Sequence, residues 1–367
     1  MPRMTTAAVI LVIALACFWQ GCDSGGNGPS GGGKGVAGGS AATYLAYLDP
    51  VASNLNVAGI ATTGTLTTIT GSPYLAGSQP VAMTTTPDGK FIYVVNSNSV
   101  NVSQFAIAAD GTLTQPAPPV ATGSLPTAMA IDPSERFALV VNSGASSLSM
   151  YSVNGTTGVL TPVGSTIPLN ITGPRTIALN GNFVFVAGVN TLDVLLFNPT
   201  TSSFTFGVSG AVPASANIVS LLSPALSTVQ LYALDSNSNS ILTFAVSNNG
   251  TLTQTATVPT GSQPSAMVTD AGNHFLFVAN QGGNSISVFA INATTGSLTP
   301  AATPTVTTEA APNVLAFDPV NNLLFVSASG TKHIQAYLAN STTGALTPTG
   351  SAFVANNAPS AMVVAKP

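Results

Sequence analysis

The stretch Gly111-Thr112-Leu113-Thr114 is one of six Gly-x-Leu-Thr tetrads that recur along a chain of 367 residues. The tetrads begin at Gly64, Gly111, Gly158, Gly250, Gly296 and Gly344. They are spaced by 47, 47, 92, 46 and 48 residues, so the longest interval equals two periods with one degenerate copy between them. Prolines that open short apolar runs keep the same period, at Pro80, Pro126, Pro174, Pro264, Pro312 and Pro359. A period of about 40–50 residues made of short strands is typical of a β-propeller, with one blade per repeat.

One repeat, residues 80–125, contains four short strands. The first starts at Pro80 and ends at a Pro-Asp-Gly turn, and the second is a β-branched and aromatic run from Phe91. The third ends at Ile107 and alternates apolar and polar residues, and the fourth starts at Leu113 and is interrupted by prolines. We name these strands a, b, c and d, with d at the outer rim, and we expect b to be buried on both faces.

The two ends of the chain are predicted to complete a seventh blade. Six full repeats lie between Pro80 and about residue 358, although the copy at 174–217 has lost its tetrad and the next copy, near Ile218, has lost its proline. Residues 43–79 supply strands b, c and d, and the tail from Pro359 supplies strand a. We therefore predict an all-β, seven-bladed β-propeller of four-stranded antiparallel blades. Its ring is closed by the N-terminal strands b–d pairing with the C-terminal strand a.

The first 22 residues are predicted to be a signal peptide. Arg3 precedes an apolar run over residues 7–19, which is shorter than the roughly 20 residues that a membrane-spanning helix needs. The run is followed by Gly21-Cys22, which resembles the end of a bacterial lipoprotein signal and predicts lipidation at Cys22. The alternatives are modification at Cys17, cleavage with free secretion, and an uncleaved anchor.

A flexible tether is predicted to link this signal to the propeller. Residues 23–41 are rich in Gly and Ser, a composition typical of a random coil. The propeller domain then occupies residues 42–367. We expect an exported protein of the bacterial cell envelope, on the periplasmic side or at the surface, whose contact with the membrane is the lipid anchor; a secreted protein is the alternative.

The composition argues against several classes of partner. Charged residues make up 5% of the chain, against about 25% in an average domain, and the net charge is −4. Nucleic-acid binding requires a dense basic patch, and residues 42–360 contain only Lys90, Arg136, Arg175 and Lys332. Two isolated histidines, with no cysteine after Cys22, make a metal site or a disulfide improbable. We expect a monomer without cofactor, metal or nucleic acid.

The repeats resemble the lactonase-like seven-bladed propellers, and similar blades occur in surface propellers with Tyr-Val-Thr-Asn repeats. The resemblance rests on Pro80 with residues 87–96, on residues 275–289 and on residues 294–299, and it covers nearly the whole chain after the tether. Members of this family hydrolyse 6-phosphogluconolactone, and a fungal branch acts on muconate-type lactones, with cationic and acidic groups in the central pocket. The resemblance implies the fold and a possible lactonase activity, but it maps no catalytic residue onto a specific position.

The ionisable residues divide between the two faces of the predicted ring. The d–a and b–c connections share one face, which is expected to hold Asp49, Arg175, Asp235, Glu309, Lys332 and His333. The a–b and c–d turns share the other, which is expected to hold Asp88, Lys90, Asp110, Asp132, Glu135, Arg136, Asp270 and His274. Ligands are expected on the first face.

Arg175 is the strongest catalytic candidate, with Glu309 as its acid–base partner and His333 as a further base. The structural alternative for all three is a surface ion pair or a solvated loop end. A polar binding rim is predicted at Asn96, Asn98, Asp235, Asn284 and Lys332. Left-handed turn geometry explains the Asn-rich loops equally well.

Two functions follow from these residues. The first is a non-catalytic binding or scaffold module of the cell envelope, whose polar loops recognise a glycan, a peptide or a protein. Export and the sparse ionisable groups favour it. The alternative is a lactone hydrolase with its site at the mouth of the central channel, which the family resemblance alone implies.

Overall fold

A computed structural model of the chain describes residues 42–188, 190–198, 201–207 and 210–367. The predicted signal peptide, Cys17, Cys22 and the tether lie outside the described residues. All regular elements of the described residues are β-strands, and they form seven sheets. No helix in these segments has the length and apolar character that crossing a membrane requires. The predicted all-β, seven-bladed propeller is therefore confirmed.

The described residues form 32 strands in chain order. The first sixteen are β1 (Thr43–Asp49), β2 (Asn54–Ile60), β3 (Leu66–Thr68), β4 (Tyr74–Leu75), β5 (Pro80–Thr85), β6 (Phe91–Asn96), β7 (Asn101–Ile107), β8 (Leu113–Thr114), β9 (Val120–Ala121), β10 (Pro126–Ile131), β11 (Phe137–Asn142), β12 (Ser147–Val153), β13 (Leu160–Pro162), β14 (Ile167–Pro168), β15 (Thr176–Asn180) and β16 (Phe183–Ala187). The others are β17 (Thr191–Asn198), β18 (Ser203–Phe206), β19 (Gly210–Ala211), β20 (Ile218–Leu222), β21 (Gln230–Asp235), β22 (Ser240–Val246), β23 (Leu252–Pro259), β24 (Pro264–Thr269), β25 (Phe275–Asn280), β26 (Ser285–Ile291), β27 (Leu298–Thr307), β28 (Pro312–Asp318), β29 (Leu323–Ala328), β30 (His333–Ala339), β31 (Leu346–Val354) and β32 (Met362–Ala365).

Each sheet is an antiparallel meander in the predicted order a, b, c, d. Blades 2, 3 and 4 are β5–β9, β10–β14 and β15–β19, and in each of them two short strands share the role of strand d. Blades 5, 6 and 7 are β20–β23, β24–β27 and β28–β31, with one continuous strand d. In blade 2 the interruption coincides with the prolines between β8 and β9, since proline has no N–H for the ladder. The degenerate copies still form strand d (β18) and strand a (β20) at the expected places.

Blade 1 is assembled from both ends of the chain. β1 pairs with β2 on one side and with β32 on the other, where Tyr44 faces Ala365 and Tyr47 faces Met362. The Leu48 N–H donates to the Ala361 carbonyl at 3.0 Å, next to the last rungs of this ladder. The predicted closure, with strands b–d from the N-terminal side and strand a from the C-terminal end, is therefore confirmed.

Apolar packing between blades holds the ring. Seven buried clusters are present, one in each junction between neighbouring sheets, and strand b supplies fully buried residues to both sides. In blade 2, for example, Val94 faces blade 1 and Tyr93 faces blade 3. The innermost strands also contact one another in sequence around the channel, including β32 with β5. Each blade is thus stabilised from two sides.

The repeated tetrad forms the turn from strand c to strand d. Gly158 has a φ of 71°, in the left-handed region that glycine adopts without strain. A Cβ on Gly158 would lie 2.2 Å from the ring of Phe91 in the preceding blade. The Gly158 carbonyl also accepts a 2.6 Å hydrogen bond from the hydroxyl of Tyr93. The tetrad is therefore both a turn and a contact between blades.

Deleting residues 359–367 is expected to open the ring. The deletion removes β32, exposes the edge of β1 and uncovers the clusters on both sides of blade 1. We expect a lower thermal midpoint and aggregation, measured by differential scanning calorimetry and light scattering. A chain shortened by Pro367 alone serves as the control. Closure by strand a would be refuted if the larger deletion melted cooperatively at the native temperature.

Candidate functional site

The channel mouth on the d–a and b–c face is framed by the innermost strands. The residue after each anchor proline, or after Ile218 in blade 5, forms a set that we call the mouth ring: Val81, Thr127, Arg175, Val219, Ser265, Asn313 and Ser360. Four of its side chains donate to the anchor carbonyl of the next blade over 2.9–3.4 Å: Thr127 to Pro174, Ser265 to Pro312, Asn313 to Pro359 and Ser360 to Pro80. These bonds join blades, so most polar groups of the mouth ring already serve the fold.

Arg175 is the charged member of the mouth ring. Its Nη1 donates to Oδ1 of Asn217 in the next blade at 2.9 Å, and the residue is partly exposed. A guanidinium has five N–H donors, and a neutral amide does not balance its charge. Glu309, the predicted partner, lies on the connection into blade 7 and forms its ion pair with His333. The structure therefore does not bring Arg175 and Glu309 together.

A buried asparagine ties the b–c connection to the d–a connection in blades 2, 3 and 6. In blade 2, Oδ1 of Asn96 accepts from the Gly77 N–H at 3.0 Å, and Nδ2 donates to Asn101 and Ser103. The same arrangement, which we call the amide staple, joins Asn142 to Gly123 and Asn280 to Gly261. Asn96 is completely buried, so its amide serves the fold and does not face a ligand.

Aspartates take the same position in two other blades. Asp235, which is 1% exposed, accepts from the Asn217 N–H at 2.8 Å in blade 5. Asp49, in blade 1, is 4% exposed and accepts from the side chain of Asn357 at 2.9 Å. Asp235 therefore does not form part of an exposed binding rim, because both carboxylates are enclosed by their own blades.

The remaining predicted rim residues, Asn98, Asn284 and Lys332, are exposed on b–c loops. Asn284 and Lys332 have φ angles of 48° and 62°, which agrees with the turn-geometry explanation. A left-handed residue occupies this position in every blade: Ser53, Val100, Ser146, Asn190, Asn239, Asn284 and Lys332. Their exposure leaves these three side chains accessible to a ligand.

Blade 7 replaces the amide staple at four linked positions, one of which is Gln335, where the other three blades have a serine that accepts from the amide. Ala328 stands in place of the asparagine, Glu309 in place of the glycine, and His333 begins strand c. In blade 2, a Cβ added to Gly77 would lie 2.6 Å from Cγ of Asn96. A side chain at position 309 therefore requires a small residue at position 328, and alanine provides the space.

Glu309 and His333 form a half-exposed carboxylate–imidazole pair, which is an ion pair only when the imidazole is protonated. Oε2 of Glu309 lies 2.8 Å from Nδ1 of His333, and each side chain keeps 32% of its surface exposed. The Thr331 hydroxyl also donates to this Oε2. Partial burial by itself raises the pKa of Glu309, but the contacts with Thr331 and His333 outweigh it and hold the pKa below its usual value. The sequence suggested Glu309 and His333 separately and gave no reason to single out Thr331 or Ala328.

On the opposite face, the predicted acidic residues serve turns. Asp88, Asp132 and Asp318 each accept a backbone hydrogen bond within their own a–b turn. Asp132 also pairs with Arg136 over 2.6 Å, which raises the pKa of that guanidinium. These aspartates therefore stabilise their turns.

The second histidine of the chain has a looser partner on this opposite face. Nδ1 of His274 lies 3.4 Å from Oδ2 of Asp270, and 63% of the histidine side chain is exposed. Oδ1 of Asp270 accepts the N–H groups of His274 and Phe275 at 2.7 Å, so this carboxylate caps its turn. Among the residues that the structure describes, no group of three or more His, Cys, Asp or Glu converges as a metal site.

A cavity of about 390 Å³ opens where the a–b turns converge, at the end of the ring opposite the mouth ring. Its walls come from blades 1, 2, 6 and 7 and include Thr43, Thr86, Asp88, Ala271, Pro319 and Lys366. The sequence analysis predicted ligands on the other face. It did not predict this cavity, because the sequences of the a–b turns do not indicate that the turns enclose a space.

The architecture and repeats described above define a lactonase-type propeller. The model of the family described as "Lactonase, 7-bladed beta-propeller" matches residues 51–174 and 170–311, more than half of the chain. The protein belongs to this family, and the resemblance inferred from the repeats is confirmed. No curated protein matches the sequence significantly.

Solved structures with the same fold include proteins of three bacteria. The chain is similar to a candidate 6-phosphogluconolactonase from Bacteroides uniformis, with a TM-score of 0.75, 18% identity, and coverage of 89% of this chain and 99% of that one. For a candidate 6-phosphogluconolactonase from Bacteroides fragilis the TM-score is 0.75 and the identity 17%, and the match covers 90% of this chain and 99% of that one. For the periplasmic gluconolactonase of Pseudomonas aeruginosa the TM-score is 0.73 and the identity 19%, and the match covers 89% of this chain and 99% of that one. At these identities the similarity supports the fold alone.

The steric link in blade 7 predicts the effect of Ala328→Asn. The new amide would meet the Glu309 side chain, and overpacking of this kind costs roughly 1–3 kcal/mol of unfolding free energy. The quadruple variant Glu309→Gly, Ala328→Asn, His333→Ser, Gln335→Ser rebuilds the amide staple and is expected to recover native stability within about 1 kcal/mol. Urea unfolding measures both. Equal stability of Ala328→Asn and the native chain would contradict the link.

Proposed function

We propose that the protein is an exported, membrane-tethered propeller whose channel mouth binds a polar ligand without converting it. The observation that carries this proposal is the mouth ring, which has one cation, Arg175, among neutral side chains. Arg175 contacts an amide, and the acidic candidate Glu309 is engaged three blades further along the ring. The contact that Arg175 makes within the described residues is with an amide and not with a carboxylate, and its remaining N–H donors suit a bound ligand.

The chemistry of Arg175 suggests the class of ligand. A guanidinium with unused N–H donors suits a carboxylate, such as that of an acidic sugar or of a peptide. The exposed rim side chains Asn98, Asn284 and Lys332 supply further polar contacts on the same face. We infer a glycan, peptide or protein ligand that carries a carboxylate.

The topology supports an outward-facing mouth. β1 begins at Thr43, which lines the cavity at the a–b end together with Asp88 and Pro319. The chain therefore enters the propeller at that end. A lipid at Cys22 would hold the a–b end towards the membrane and present the mouth ring to the surroundings.

The same proposal includes a monomer without a nucleic-acid partner. Pairing of β1 with β32 closes the ring, so no blade is left incomplete for a second copy to fill. The few cations are spread over both faces, and Arg136 is neutralised by Asp132. A dense basic surface is thus not formed by the described residues.

Lactone hydrolysis at the channel mouth is the alternative, and family membership favours it. Titrating the purified protein on glycan and peptide arrays, and assaying glucono-1,5-lactone and 6-phosphogluconolactone, separates the two functions. We expect binding that Arg175→Ala weakens at least tenfold, about 1.4 kcal/mol, because its charge is lost, with no turnover.

Arg136→Ala is the matched control, since it removes the cation of the opposite face and should leave binding unchanged. Turnover of either lactone that disappears in Arg175→Ala would establish the alternative. Binding insensitive to Arg175→Ala would contradict the proposed site.

The pair Gly21-Cys22, followed by the Gly/Ser-rich residues 23–41, predicts lipid modification of Cys22. Palmitate labelling in cells is expected to be lost in Cys22→Ala, because the thiol is the predicted acceptor, and retained in Cys17→Ala. Labelling that persists in Cys22→Ala, or depends on Cys17, would refute this anchor.

A further inference from the structure

We propose that Glu309 and His333 form a hydrolytic site for small acyl esters presented by a larger molecule, separate from the channel mouth. His333 is the general base, and Glu309 and Thr331 are positioning residues. The site lies on the d–a and b–c face of blade 7. It does not depend on Arg175 and therefore stands apart from the proposed binding function.

The geometry of the pair carries the proposal. Nδ1 of His333 is buried and lies 2.8 Å from Oε2 of Glu309, although the contact does not meet hydrogen-bond geometry, and 32% of the histidine side chain remains exposed. The exposed part of the ring thus lies away from Nδ1, which leaves Nε2 as the nitrogen open to water and substrate. A carboxylate on one ring nitrogen that frees the other is the arrangement by which an imidazole is oriented as a base.

The carboxylate of Glu309 does not cap a turn, whereas that of Asp270, the partner of His274, does. Its Oε2 receives Thr331 and His333, whereas Oδ1 of Asp270 is occupied by two backbone N–H groups beside His274. The corresponding separations from Nδ1 are 2.8 Å and 3.4 Å. The chain thus contains one closely held imidazole and one loosely held imidazole.

The replacement of the amide staple adds an independent observation. Three blades tie the same two loops with neutral, buried groups, and this suffices for the fold. Blade 7 instead carries two ionisable side chains at the surface, together with the alanine that makes room for them. Hydrogen bonds between these two loops form in other blades without an imidazole. We therefore infer that His333 has a chemical role.

The surroundings suit an ester that is carried to the surface. Ala310 and Gly330 are small, and the Gly330 N–H donates to the Ala310 carbonyl at 3.1 Å, which keeps the two loops together. Because the pair sits on open loops, a short acyl group on a large molecule fits better than an enclosed small substrate.

The reaction is a hydrolysis that needs water alone. Nε2 removes a proton from water as the water oxygen attacks the acyl carbon and forms the tetrahedral intermediate. The C–O bond to the alcohol then breaks, and the proton on Nε2 passes to the leaving alkoxide. The products are the alcohol and the carboxylic acid, and the imidazole returns to its neutral form.

Hydrolysis of p-nitrophenyl acetate by the full protein tests the site. We expect His333→Gln to lower the rate at least 100-fold and Glu309→Gln at least 10-fold, since a positioned general base contributes about 10²–10⁴. His274→Gln is the matched control and should retain the native rate and pH profile.

A further variant separates chemistry from folding. The rebuilt-staple variant should melt like the native chain and hydrolyse nothing. The proposal is overturned if His333→Gln keeps the native rate, if His274→Gln loses as much as His333→Gln, or if the native protein is inactive. None of these results bears on binding at the channel mouth.

Discussion

Every feature of this protein depends on seven sheets closing into one ring, because each innermost strand is packed between two neighbours. The apolar clusters lie in the junctions between blades, so removing one blade would uncover two of them. The repeated residues serve these junctions. Gly158 lets its turn approach Phe91 in the preceding blade, and Thr127 and Ser360 donate to anchor carbonyls of the following blades. The last junction is closed by β32 on β1, between the two ends of the chain.

The repeat made the fold predictable from the sequence. The spacing of tetrads and prolines gave the number of blades, and continuous apolar runs such as that at Phe91 marked strand b. The incomplete repeats at the two ends specified the closure, since residues 43–79 lacked strand a. These features are local in sequence or repeat with a fixed period, and the same physical cause acts in each blade.

The site could be predicted only in part, because its contacts join distant segments. The face of Glu309 and His333 followed from the strand order, but their pairing depends on how a d–a loop meets a b–c loop. Glu309 was predicted as the partner of Arg175, but the structure shows a hydrogen bond from Arg175 to Asn217, an uncharged residue of the next blade. Asn96 was predicted as an exposed loop residue, but its side chain is buried and accepts a hydrogen bond from the Gly77 N–H. Aligning the repeats on that staple would have revealed Ala328 and Glu309 as linked departures.

The loops of blade 7 are tied by the Glu309–His333 pair, where blades 2, 3 and 6 use a buried amide. The most direct measurement is the unfolding free energy of the native chain and of Glu309→Gln as a function of pH. The lowered pKa of Glu309 means that its contribution is present above the ordinary glutamate pKa and is lost as the pH falls through the folded-state value. We predict that the native chain is more stable than Glu309→Gln at neutral pH and that the difference disappears in acid. A difference that is absent at neutral pH, or that stays constant into acid, would contradict the claim.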